Sequence, residues 1–140
     1  LLALAIEAVL FLSNPPWAMI RTELTRLEHQ LSATPEEWQA SGLSPLDIPE
    51  IARSELERRH NAHRNATENT VYFAVLALGI ALITPAVLAA QVWIIAFAVG
   101  RLGHMFCYLT GRDGARGIFM TISLMALYGM ASYSLIRLVI

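Results

Sequence analysis

The sequence contains no lysine. All ten of its basic residues are arginine, set against eleven carboxylates for a formal charge of −1. Without a surplus of positive charge the chain lacks the electrostatic footprint of nucleic-acid binding, so nucleic acid is not an expected partner. Cysteine occurs once, at Cys107, which excludes an internal disulfide. Charged residues make up 15% of the chain, against about 25% in ordinary soluble domains, and they are gathered into a few stretches. No internal repeat or low-complexity tract is visible. The exclusive use of arginine suits capture of carboxylates in a fixed, forked geometry, although a GC-rich genome would produce the same bias.

What the sequence does have is apolar length. It is 56% hydrophobic with a mean hydropathy of +0.51. A helix crossing a bilayer needs about 20 mostly apolar residues, and four stretches qualify: 1–20, 67–83, 87–109 and 115–140. The expected fold is all-α, a single integral-membrane four-helix bundle over residues 1–140. Its helices should span about 1–27, 49–83, 87–109 and 115–138, with a cytosolic connection of about 28–48. Pro15 and Pro16 should kink the first helix. "TPAV" at 84–87 and "TGRDGAR" at 110–116 are expected to be short turns. Inside the long connection, "TPEE" at 34–37 has the form of a capping box, with Thr34 at N-cap, Pro35 at N1 and Glu37 at N3.

The arginines set the orientation. Arg21, Arg26, Arg53, Arg58, Arg59, Arg64, Arg112 and Arg116 fall at one membrane face, and only Arg137 lies near the other. Positive charge stays in the cytoplasm. The protein should therefore be a multi-pass membrane protein with the long connection and the 110–116 turn in the cytosol and both termini on the opposite side.

Two polar stripes then stand out. Asn61, Arg64, Asn65, Glu68 and Tyr72 share one helical face, as do Arg101, His104 and Tyr108. Arg116 follows just past the next turn. Polar groups at membrane depth are expensive unless they pair or line a cavity. By depth, Glu68 is the expected counter-ion of Arg101, and the plain reading of that pair is a structural ion pair. Glu7, Asn14 and Arg21 recur every seven residues, which suggests a face turned to protein rather than lipid. His104 alone would be a hydrogen-bonded core histidine, the tyrosines interface aromatics, and Arg112 with Asp113 a solvated turn. Together they form an arginine-rich cleft opening to the cytosol, suited to an anionic ligand carrying one cationic group. Glutathione fits that description, with two carboxylates, one ammonium and a thiol. A thiol near pKa ~8.5 needs a cation or a helix N-terminus to ionise, and Arg116 could supply both.

The residues "ERRHNAHRNATENTVYF" at 57–73, followed by "VGRLGHMFCYLTGRDGAR" at 99–116, resemble the signature of the MAPEG family, the membrane-associated proteins of eicosanoid and glutathione metabolism that include microsomal glutathione transferases. Glu57, Arg58, Ala62, His63, Asn65, Glu68, Asn69, Gly100, Arg101, His104 and Tyr108 carry the match. The resemblance implies a homotrimer of four-helix subunits, with glutathione held between neighbours near the cytosolic face and a lipophilic substrate arriving from membrane lipid. It implies that Arg64, Asn65 and Glu68 contact the peptide part of glutathione, with Arg26 reaching in from the first helix. His104 and Tyr108 would line the same site, and Arg116 would stabilise the sulfur as the catalytic residue.

This sequence also departs from its relatives. Asn61 stands where many have Arg. Gly117 and Met120 stand where the family's microsomal prostaglandin E synthase has Ser and Tyr. These changes argue against prostaglandin synthesis. The leading expectation is a membrane glutathione transferase or peroxidase acting on lipophilic electrophiles; the alternative is a non-catalytic scaffold or accessory subunit of a membrane complex. A metal enzyme built on Glu57, His60 and His63 is a weak third reading, because four histidines are few for a membrane di-iron site. No metal is expected.

Overall fold

A computed structural model describes residues 2–44, 48–83 and 86–140, with side chains from Pro15 onward. The described residues form five helices and no strand: α1 (Leu2–Glu28), α2 (Pro35–Ser41), α3 (Glu50–Leu82), α4 (Val87–Thr110) and α5 (Asp113–Val139). The 7, 14, 21 stripe and the 45–47 and 84–85 parts of the expected connections lie wholly or partly outside the described residues. α1 runs through Pro15 and Pro16 without a break in the helix.

The helix ends follow local chemistry. Thr34 caps α2 in an extended conformation, and its hydroxyl accepts the Glu37 N–H at 3.3 Å. The Glu37 carboxylate reaches back to the N–H of Ala33, at 2.7 Å, rather than to that of Thr34 itself. This is a capping box displaced by one residue. α4 ends in a Schellman motif: Gly111 takes φ +70°, and the Arg112 N–H bonds the Cys107 carbonyl at 2.9 Å. A positive φ there favours glycine, and only two residues then separate α4 from α5. At the opposite end the Tyr133 hydroxyl of α5 accepts the Ala86 N–H, at 3.2 Å, just before α4 begins.

Packing is closest between α4 and α5. A methyl group on Gly100 would lie 2.7 Å from the Ser123 backbone nitrogen and 2.9 Å from the Phe119 carbonyl oxygen. One on Gly103 would collide with the edge of the Phe119 ring. The absent side chains thus let the two backbones touch, as small residues do between membrane helices. Below this contact, Ile94, Phe97, Ala98, Ala126, Leu127 and Met130 form a core with Phe73 and Ile80 of α3. Phe73 and Phe97 stack with centroids 4.5 Å apart. α1 joins through a second cluster, Ala18 with Ala66 of α3 and Met105 of α4.

α4 and α5 are each long and apolar enough to cross a membrane. Their outer faces carry exposed Val92, Ile95, Val99, Leu102 and Phe106 on α4, and Ile118, Met125, Tyr128 and Leu135 on α5. Such a surface suits lipid rather than water. α3, at 33 residues, is about 50 Å long at 1.5 Å per residue. That is longer than the ~30 Å core of a bilayer, and the charged residues of α3 fall toward its N-terminal end.

Candidate functional site

The buried face of α3 runs through Ala62, Ala66, Asn69, Phe73 and Ile80. The buried face of α4 runs through Ile94, Phe97, Ala98, Arg101, His104 and Met105. Arg101 is therefore carried inward by the same 3.6-residue period that buries Phe97, and only 2% of it remains exposed. A buried guanidinium needs acceptors, and α3 supplies them. One Arg101 nitrogen, Nη2, donates to the Asn65 side-chain Oδ1 at 2.6 Å and to the Asn65 carbonyl at 3.1 Å. That carbonyl also accepts the Asn69 amide at 2.8 Å. The other nitrogen, Nη1, lies 3.7 Å from the Met120 sulfur of α5. Arg101 thus ties three helices together at one point.

One turn along α4, His104 is buried, with its ring 5.6 Å from that of Tyr108. The Arg116 guanidinium lies 4.8 Å above the Tyr108 ring, a cation–π geometry. Arg116 also pairs with Asp113, one turn earlier on α5, at 3.2 Å. His104 and Arg116 are close enough to interact electrostatically. Asn65, Arg101, His104, Tyr108 and Arg116 thus follow one another as a polar series from the middle of α3, along α4, to the first turn of α5.

The remaining expected residues stand differently. The expected ion pair of Glu68 with Arg101 is not among those of the described residues; Asn65 takes the guanidinium instead. Helical phase explains this. Successive residues turn by about 100°, so Glu68 points about 60° away from Asn65, and Arg64 about 100° away on the same side. Arg64, Glu68 and Tyr72 are all exposed on this chain. The polar stripe of α3 is real as a face, but only its Asn65 edge meets α4. Arg26 is half-buried and pairs with Glu23 of its own helix at 2.7 Å, and its buried Nε has no acceptor among the described residues. Arg59 is in the same position: Glu55 holds it at 2.6 Å and its Nε has no partner among them. His60 is exposed, and among the described residues no three His, Cys, Asp or Glu side chains gather as a metal would require.

Two contacts were not evident from the sequence. Met120 was visible only as a departure from relatives, and nothing in a methionine's position announces a contact to an arginine. Asp113 was legible in principle, because i,i+3 spacing from Arg116 at a helix start is an ion-pair signal.

The fold and the polar series define a class: a helical membrane protein whose ionisable residues gather between its helices near the α4–α5 turn. The MAPEG family model matches residues 4–136 of the 140, and the chain belongs to that family. Its members commonly use glutathione, and some are not enzymes. No curated protein matches the sequence.

Proposed function

We propose that the protein is a membrane-bound glutathione transferase or peroxidase acting on lipophilic electrophiles. The observation that carries this reading is the placement of Arg116: stacked on Tyr108, near His104, in the first turn of α5. A guanidinium and a helix N-terminus there combine two positive fields at one point.

The donors fit the ligand. Glutathione brings two carboxylates, an ammonium and a thiol. Arg26 keeps a buried Nε without an acceptor among the described residues, Arg64 is an exposed cation, and Glu68 an exposed carboxylate. The Asn65 oxygens are engaged by Arg101, so its amide NH2 is the part that would meet a ligand. In this reading Arg26 and Arg64 fork the carboxylates, Glu68 takes the ammonium, and His104 and Tyr108 line the cleft. Bound glutathione supplies the sulfur nucleophile. Arg116 holds the sulfur in its anionic form by placing positive charge beside it, and the apolar outer faces of α4 and α5 bring lipid-dissolved electrophiles to the same depth.

The outward face of α3 supports a shared site. An ionised residue facing hydrocarbon costs about 2.5–3.5 kcal/mol, so Arg64 and Glu68 are better satisfied against a second copy. A homotrimer of four-helix subunits, with α1 and α3 spanning beside α4 and α5 and the site at the cytosolic face, provides that cover. The test is conjugation of an aryl halide by purified protein. Arg116→Ala should lower turnover about 100-fold, in the range for loss of one electrostatic stabiliser. Equal turnover would remove Arg116 from the mechanism, and absence of glutathione binding would remove the class.

A second reading, a non-catalytic scaffold within a membrane complex, rests on Gly117 and Met120. Met120 spends its sulfur on Arg101 rather than offering a hydroxyl to a ligand. It predicts a stable partner on co-purification and no glutathione-dependent turnover.

A further inference from the structure

The Arg116 guanidinium is not free. Its Nη1 lies 3.2 Å from Asp113 Oδ1, with the Asp113 side chain 80% exposed and that of Arg116 38% exposed. Asp113 opens α5, where a carboxylate is favoured by the helix N-terminus. It therefore opposes both positive fields at this spot: it neutralises the arginine, and it sits on the helix end itself. An exposed i,i+3 pair of this kind is weak. Tyr108 also meets the guanidinium, with its ring face at 4.8 Å, a contact that does not depend on the carboxylate.

We propose that Asp113 is a displaceable counter-ion that steadies Arg116 over Tyr108 and tunes how strongly Arg116 polarises a bound thiol. This rests on the glutathione reading above. An arriving sulfur anion competes with Asp113 for the same guanidinium. Because Asp113 is mostly in water, it gives way at little cost, yet its charge still raises the pKa of the bound thiol. The proton released on ionisation goes to solvent. The other charged and titratable groups around Arg116 are His104 and Tyr108 of α4, Arg112 just before α5, and Arg58 of α3, whose guanidinium lies by Gly111. Among these named neighbours Asp113 is the carboxylate, so its removal should act in one direction.

The test is ultraviolet titration of the thiolate of glutathione bound to the intact protein in detergent, which needs no turnover. Asp113→Asn should lower the bound thiol's pKa by about half a unit, the scale of one partly screened charge a few ångströms away. That shift should shrink as ionic strength rises from 0.01 to 1 M. Asp113→Glu, which keeps the charge, should titrate like the wild type. A merely structural role for Asp113 would change the melting temperature and leave the titration where it was. If wild type shows a depressed thiol pKa and Asp113→Asn shows the same value, the counter-ion role is overturned while the glutathione reading stands. If wild type binds no glutathione, both fall.

Discussion

α3 and α4 each carry a polar stripe at similar depth, and the two stripes end up in opposite environments. On α4 the stripe coincides with the packing face, so Arg101 and His104 are buried against α3 and α5. On α3 the packing face is made of alanines, Asn69 and Phe73, and the stripe lies to one side of it. Asn65, at the edge, is the hinge between the two: it faces α4 closely enough to hold Arg101, while Arg64, Glu68 and Tyr72 face out. A stripe turned inward must be satisfied by its own chain. A stripe turned outward can serve a ligand or a second copy, which is why the exposed half is the better candidate for recognition and the buried half for support.

That contrast can be broken experimentally. The largest effect should come from Asn65→Leu, which keeps the volume and removes the Oδ1 acceptor. Leaving a buried guanidinium short of its main partner should cost about 3 kcal/mol, read as a lowered melting temperature in detergent. Next, Gly100→Ala should cost about 2 kcal/mol through overpacking, since the new methyl meets the backbone of α5. Gly114→Ala, with nothing within 4 Å, should be neutral within error in the same assay. Glu68→Gln should be comparably small, below about 0.5 kcal/mol, because no partner among the described residues is lost. The same variant should weaken glutathione binding on the reading proposed above, as isothermal calorimetry would register. A stability loss from Glu68→Gln as large as that from Asn65→Leu would erase the distinction between the two stripes.

Much of the architecture was legible beforehand. Apolar runs interrupted by the polar turn "TGRDGAR" give α4 and α5, and Thr34 with Pro35 marks the start of α2. Depth alone pairs Glu68 with Arg101, since both lie at matching sequence distances from positions 84–87, but depth carries no phase, and Asn65 rather than Glu68 is turned to the guanidinium. The Pro15-Pro16 pair removes two N–H donors, and the helix continues across it over Leu2–Glu28. The Arg101–Met120 contact was out of reach, because it depends on how near α5 approaches, which Gly100 and Gly103 permit but do not announce.

The sequence alone determined that the chain is helical, where α2 and α3 begin and α4 ends, and which polar residues share a face, because hydrophobic periodicity and end-capping are local properties of the backbone. Only the tertiary structure decided which of those faces turns inward, that Asn65 rather than Glu68 holds Arg101, and that Arg116 meets the ring of Tyr108. Those outcomes depend on the rotation and separation of whole helices, and these are fixed by packing between residues far apart in the chain.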